Sequence, residues 1–104
     1  MFEKDLSLSL LYDLYAPLLS EKKRGVFEGY FLSDLSLAEI AEDTGTSRQA
    51  VRDLIARTKA ELLDYEEKIG LLQKRKELSS LCDALSDASG EEREKWIERI
   101  REIL

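Results

Sequence analysis

The chain has 104 residues, of which 43% are hydrophobic and 37% are charged. A chain of this length buries one modest core, so we expect one domain with an extension and exclude a second large domain. The sequence contains no histidine, which excludes Ser-His-Asp and Cys-His nucleophiles and HExxH zinc sites. Its glycines are scattered, and none opens a GxxxxGK phosphate loop. We therefore expect a binding protein rather than an enzyme, with no cofactor and no metal.

Location and redox chemistry are also constrained. The sequence lacks the run of about 18 apolar residues that a transmembrane helix needs. Its start, MFEKDLSLSL, lacks the basic region and the long apolar stretch of a signal peptide. We expect a cytoplasmic protein that does not insert into membranes. Cys82 is the only cysteine, so it can form no internal disulfide, and we expect it to be a small buried apolar residue.

Helical periodicity dominates the sequence and predicts an all-α fold. The first helix should end at Pro17, because the proline ring removes a backbone donor and clashes with the preceding turn. Its apolar positions are Leu6, Leu10, Leu11, Leu14 and Tyr15. Ser20 then caps a second helix, which begins with a basic first turn. The apolar face of that helix consists of Val26, Phe27, Tyr30 and Phe31.

Residues 36–58, SLAEIAEDTGTSRQAVRDLIART, predict a complete helix-turn-helix. Ser36 with Glu39 forms a capping box for the first helix, and Ser47 can cap the second. Gly45 lies in the turn, where a positive φ is favoured. The apolar contacts between the two helices are supplied by Ile40, Ala41, Val51 and Leu54. Because several independent requirements meet within about twenty residues, the motif is a strong prediction.

The second helix of the motif has no obvious end. Its apolar pattern alternates three and four residues, the spacing of a coiled-coil seam, through Ile55, Thr58, Leu62, Tyr65, Ile69 and Leu72. A helix from Arg48 to Lys76 would be roughly 44 Å long at about 1.5 Å per residue. A core of this size cannot cover such a helix, so a second subunit or the end of the chain should bury the seam. We therefore expect a homodimer.

The C-terminus predicts an amphipathic docking helix that begins near Gly90 and Glu91. Its apolar face carries Trp96, Ile97, Ile100, Ile103 and Leu104. We expect Trp96 to be a packing anchor in a helical hairpin, either within the chain or across a dimer. The predicted domains are 1–63, a nucleic-acid-binding-like helix-turn-helix, and 64–104, a helical extension for dimerisation or partner docking. The candidate dimer or partner residues are Leu62, Tyr65, Ile69, Leu72, Trp96 and Ile100.

The residues of the motif define a concrete DNA-binding hypothesis. If the second motif helix enters the major groove, Arg48 and Arg52 can read guanine edges and Gln49 can pair with adenine. Backbone phosphates can be held by Ser36, Thr46 and the amides near them. The flanking strand can be contacted by Lys22, Lys23 and Arg24. The exposed positions of the first turns are Ser47, Arg48, Gln49, Arg52, Asp53 and Ala56.

The charge of the motif favours DNA binding, whereas the charge of the whole chain opposes it. Residues 46–59 hold four basic residues and one acidic residue, the local excess that a DNA reader needs. The whole chain has a net charge of −6, so long-range attraction to phosphates is weak. Three interpretations stay open: a weak sequence-specific regulator, a motif that contacts protein, and a binder of structured RNA.

The stretch from Ser20 to Leu63, with its SEKKR start, its LSLAEIAEDTG middle and the SRQAVRDLIARTKAELL that follows, resembles the region-four helix-turn-helix of bacterial sigma factors. From DLSLSLLYDLYAPLLSEKKR to LLDYEEKIGLL the chain resembles the YlxM family. The most specific part runs from Ser47 to Val51 and continues with Asp53, Ile55, Arg57 and Thr58. The family usually carries an aromatic residue after that valine, where this chain has Arg52.

The resemblance to the YlxM family carries its own functional expectations. It implies a sigma-region-four-like bundle and a small bacterial protein associated with the signal recognition particle. The family is linked to the secretion pathway mainly because it is encoded beside the targeting GTPase of that particle, and its members are described as possible regulators. We therefore carry two hypotheses: a DNA-binding regulatory protein in the protein-targeting pathway, and an adaptor that contacts the targeting GTPase or its RNA without binding DNA.

Overall fold

The computed structural model describes residues 6–104 and places them in six α-helices. These are α1 (Leu6–Tyr15), α2 (Glu21–Phe27), α3 (Leu37–Thr44), α4 (Arg48–Ile69), α5 (Leu71–Asp87) and α6 (Glu91–Ile103). Residues 6–104 contain no strand, which confirms the all-α prediction. None of the helices in this range combines the length and the apolar content of a membrane span. Part of the signal-peptide argument rests on the first five residues, which lie outside the described range.

The first two helices begin and end where local chemistry predicts. α1 ends at Tyr15, and Pro17 lies in the 3-10 turn Ala16–Leu18 that follows. Ser20 Oγ accepts a hydrogen bond from the Lys23 amide at 3.3 Å and so caps α2. A π-helical turn, Glu28–Leu32, extends α2. That turn carries the buried ring of Tyr30 into the core.

Residues 6–69 form a compact unit around α4. Both α1 and α2 pack against α4, and α3 packs against its N-terminal half. The side chains of Ile55, Thr58 and Leu62 are 0% exposed. The Thr58 hydroxyl donates to the Leu54 carbonyl oxygen at 2.8 Å, so its burial leaves no unpaired donor. The expectation that a second subunit or the end of the chain covers this part of the seam is therefore wrong, because α1 and α2 pack against α4.

Tyrosine hydroxyls tie the first helices to their neighbours. Tyr12 stacks on Phe27 with ring centroids 4.5 Å apart, and its hydroxyl donates to Glu28 Oε1 at 2.6 Å. Burial, reinforced by this hydrogen bond, raises the pKa of Tyr12 to about 12. The Tyr15 hydroxyl donates to Glu66 Oε1 at 2.7 Å, which joins α1 to the C-terminal half of α4.

The helix predicted from Arg48 to Lys76 is interrupted at Gly70. This glycine adopts φ 72° and ψ 27°, a left-handed conformation that ends α4 at Ile69 and precedes α5. The 22 residues of α4 span roughly 33 Å at about 1.5 Å per residue, not 44 Å. The compact units accordingly divide between Ile69 and Gly70, whereas the sequence predicted a boundary after Leu63.

Residues 70–104 form the second compact unit, in which α5 packs against α6. The two helices are joined by a short connection that ends at Gly90, so this unit is the predicted helical hairpin. Trp96, Ile97, Ile100 and Ile103 are half-buried, whereas Leu104 follows α6 and is 87% exposed. Cys82 is exposed, which corrects its prediction as a buried residue. Its position on α5 directs it away from the packed face.

Candidate nucleic-acid interface

The turn between α3 and α4 has the predicted geometry. The Ser36 side chain accepts from the Glu39 amide at 3.0 Å, and Glu39 Oε1 accepts from the Ser36 amide at 3.1 Å. Gly45 adopts φ 68°, and the Thr46 amide donates to the Ala41 carbonyl oxygen at 3.0 Å. The left-handed conformation of Gly45 ends α3 and lets the chain change direction within the short turn before α4, as a helix-turn-helix requires.

A small apolar core fixes the crossing of α3 and α4. Ile40 and Ala41 from α3 meet Val51 and Ile55 from α4, and all four are buried. The π-helical turn contributes Tyr30 to the same cluster. The second motif helix, α4, packs against both α2 and α3. The face of α4 that points away from these two helices is exposed.

The exposed face of α4 begins at its cap. The Ser47 hydroxyl accepts from the Ala50 amide at 3.0 Å and satisfies one free N–H of the first turn. Arg48, Gln49 and Arg52 follow as exposed residues. Together with Ser36 and Ala38 they line an open groove of about 470 Å³ between the N-terminal ends of α3 and α4. The structure thus brings together four of the residues predicted to contact DNA.

The cations in this groove have no ion-pair partner within the part of the chain that the structure describes. Neither Arg48 nor Arg52 forms an ion pair with a carboxylate among residues 6–104. Gln49 Nε2 donates to Asp53 Oδ1 at 2.9 Å, one turn further along α4. This contact gives the Asp53 carboxylate a partner and orients the amide of Gln49 along the exposed face.

The predicted basic cluster at the start of α2 does not act as one group. Lys23 Nζ forms an ion pair with Glu61 Oε2 at 2.6 Å, with both side chains about three-quarters buried. This ion pair and a hydrogen bond from Tyr65 lower the pKa of Glu61 below its ordinary value. Lys23 therefore ties α2 to α4 within the protein. Lys22 is exposed and Arg24 is half-buried.

Thr46, predicted to hold a phosphate, has a structural hydrogen bond. Its hydroxyl lies 2.9 Å from that of Thr44, which itself donates to the Ile40 carbonyl oxygen at 2.8 Å. Since a hydroxyl has one hydrogen, Thr46 is the donor in the contact between them. The Thr46 side chain also lines a second, smaller groove with Lys22 and Arg57. Arg57 was not among the predicted DNA contacts, although its place in the basic segment 46–59 was a signal for it.

The residues predicted to contact a second subunit or partner are spread over different environments. Leu62 and Leu72 are buried, at 0% and 7% exposure, and offer no surface to a partner. Tyr65 is half-buried and donates to Glu61 Oε1 at 2.6 Å. Ile69 is 42% exposed. In the C-terminal unit, Trp96 and Ile100 are half-buried on α6.

Comparison with known proteins agrees with this architecture. A family model described as "UPF0122: Putative helix-turn-helix protein, YlxM / p13 like" matches residues 2–103. The chain belongs to this family. UPF0122 proteins from Bacillus cereus (strain Q1) and Bacillus anthracis (strain A0248) are each 48% identical to it over 92 residues, which cover 88% of this chain and 84% of theirs. The predicted resemblance to YlxM proteins and the helix-turn-helix interpretation are confirmed.

This member of the UPF0122 family carries an acidic surface next to its basic one. Glu42 and Asp43 are exposed in the last turns of α3. In a helix-turn-helix the first helix crosses the nucleic-acid backbone, so carboxylates there oppose the phosphates. The motif therefore combines exposed arginines on α4, which have no ion pair within residues 6–104, with exposed carboxylates on α3.

Proposed function

We propose that this UPF0122 protein binds duplex DNA through α4 and acts as a regulatory protein. The observation that carries the proposal is the pair Arg48 and Arg52, exposed in the first turns of α4 without an ion-pair partner among the described residues. Arginine forms bidentate hydrogen bonds with the O6 and N7 atoms of guanine in the major groove. An unpaired guanidinium exchanges only water for the base, so the contact does not require breaking an internal salt bridge.

The residues next to the two arginines have separate roles in the proposed contact. Ser36 lines the same groove as the two arginines, which supports a contact between its side chain and the DNA backbone. Gln49 exchanges its hydrogen bond with Asp53 for the N6 and N7 atoms of adenine. Because this exchange replaces one hydrogen bond by two, adenine at that position is preferred. The acidic residues of α3 keep non-specific affinity low, so most of the binding free energy depends on the base contacts.

The second candidate is an adaptor that binds a protein or RNA component of the signal recognition particle. A net charge of −6 and the carboxylates of α3 favour a partner other than a bare phosphate backbone. The association with the particle rests on the resemblance to YlxM proteins. Homodimerisation also stays a proposal, and its basis is now limited to the exposed and half-buried residues Ile69, Trp96 and Ile100.

Selection from a random-sequence DNA pool tests the first proposal. The full chain should enrich a discrete sequence, and Arg48→Ala and Arg52→Ala should each weaken binding to it by about 5- to 150-fold, the equivalent of roughly 1 to 3 kcal/mol per bidentate contact. Arg75→Ala, an exposed arginine on α5, is the matched control and should retain binding. Absence of any enriched sequence, with capture of the targeting GTPase or its RNA from cytosol, would support the adaptor instead.

A further inference from the structure

A second groove lies on the side of α4 that faces the start of α2. Its polar rim contains Lys22 from α2, Thr46 from the turn and Arg57 from α4. The rest of its lining is mostly apolar and consists of Val26, Thr44, Ala50, Val51 and Leu54. The cavity volume is about 90 Å³, much smaller than that of the groove beside Arg48 and Arg52. We call it the Arg57 groove.

The charge of Arg57 is not compensated by its own helix. The carboxylates four residues away, Asp53 and Glu61, are the expected ion-pair partners of a helical arginine. Asp53 accepts instead from Gln49 at 2.9 Å, and Glu61 accepts from Lys23 and Tyr65, each at 2.6 Å. Within residues 6–104 neither Arg57 nor Lys22 forms an ion pair. Two cations thus share this groove, and no carboxylate is among the described residues that line it.

The position of Arg57 around α4 separates it from the other two arginines. At about 100° per residue, Arg48 and Arg52 lie within about 40° of each other, whereas Arg57 lies about 140° from Arg52. The exposed ridge between the two flanks carries Gln49 and Asp53. A helix in the major groove has one phosphate backbone on each side, and the groove is about 12 Å wide. The two flanks of α4 therefore face different strands.

We infer that Arg57 and Lys22 form a phosphate-binding site that holds the DNA strand opposite to the one beside Arg52. This inference rests on the proposed function. The apolar part of the lining supplies no competing acceptor. The Thr44 hydroxyl donates to the Ile40 carbonyl oxygen and the Thr46 hydroxyl donates to Thr44, so the phosphate oxygens are bound by the two cationic side chains. A phosphate contact fixes the orientation of α4 in the groove and carries no sequence information.

The test uses the full chain, the DNA sequence that it enriches from a random pool, and a mixed-sequence duplex. Loss of one phosphate contact lowers the slope of log affinity against log salt by about 0.9. The affinity ratio of wild type to Arg57→Gln should therefore decrease by about 3.5-fold when salt rises from about 50 to about 200 mM, on both duplexes alike. Lys22→Gln should behave in the same way. Arg75→Gln removes an equal charge from exposed α5 and should leave the slope unchanged.

Three results would overturn the inference. If Arg57→Gln has the same slope as wild type while wild type binds DNA, the site is wrong and the proposed function stands. If Arg57→Gln enriches a different DNA sequence, Arg57 reads a base rather than a phosphate. If wild type binds neither duplex, both this site and DNA binding by α4 are wrong.

Discussion

Leu62 and Leu63 are adjacent residues of α4 that test whether the core closes within one chain. Leu62 is 0% exposed and Leu63 is 49% exposed, so the same substitution to alanine compares a buried and a half-exposed position of one helix. Truncation of a fully buried leucine leaves a cavity and costs about 3 to 5 kcal/mol. Truncation of the half-exposed leucine forfeits only part of its burial, about 1 kcal/mol or less. At roughly 4 °C or more per kcal/mol for a domain of this size, Leu62→Ala should lower Tm by at least about 12 °C.

The chain contains separate optical probes for its two units. Its four tyrosines lie between residues 12 and 65, and its single tryptophan is Trp96. Near-ultraviolet circular dichroism of the tyrosines should show the loss in Leu62→Ala, and Leu63→Ala should keep a Tm close to that of wild type at the same protein concentration. Equal losses in the two variants, or a Leu62→Ala loss that disappears at high protein concentration, would contradict closure of the core within one chain, because a seam between subunits is stabilised by mass action.

Further predictions concern the turn, two titrating groups and the acidic residues of α3. Gly45→Ala should lower the free energy of unfolding in urea by about 1 kcal/mol, because φ at this residue is 68°. Gly25→Ala should raise it by about 0.5 to 1 kcal/mol, because Gly25 lies inside α2 and a Cβ there meets open space. The folded state lowers the pKa of Glu61, so Glu61→Gln should destabilise the protein at pH 7. This destabilisation should disappear as pH falls below 4.5, the ordinary pKa of a glutamate. A stability difference between wild type and Glu61→Gln that does not change with pH would contradict the prediction. The folded state raises the pKa of Tyr12 from 10.0 to about 12, so wild type should lose stability as pH rises through that range. Tyr12→Phe should lose less stability than wild type in the same alkaline titration, since only the contribution of Tyr12 is removed. Glu42→Gln removes a charge that opposes DNA and should tighten binding about twofold at low salt; unchanged binding would place α3 away from the backbone.

The elements with local chemical signals were predictable from sequence. The capping box at Ser36, the left-handed Gly45 and the end of α1 before Pro17 each depend on a few neighbouring residues, and all three are present. The apolar face of the helix-turn-helix was also predictable, because helical spacing places Ile40 and Val51 on facing surfaces.

What depends on tertiary packing was not predictable. The spacing of Ile55 and Leu62 identifies a buried stripe, but the same stripe suits a second subunit or the chain's own α1 and α2. Gly70 was missed as a break because an isolated glycine is tolerated inside a helical pattern. The exposure of Cys82 was not predicted, because a small apolar residue type does not determine which face of α5 packs.

The candidate interface was predicted in part for the same reason. Arg48, Gln49 and Arg52 were identified from their positions in the first turns of α4, which local structure determines. Lys23 was assigned to DNA although Glu61, 38 residues later, pairs with it. Arg57 was missed because the groove that it shares with Lys22 exists only after α2 has packed against α4.

Amide chemical-shift mapping of the isotope-labelled full chain, titrated with a mixed-sequence DNA duplex at low salt, tests whether α4 binds DNA. We expect shifts to concentrate at residues 36–38 and 46–57 and to weaken in Arg52→Ala, while residues 71–103 stay unchanged. Shifts confined to residues 71–103, or none at a duplex concentration that saturates known helix-turn-helix proteins, would contradict DNA binding by α4.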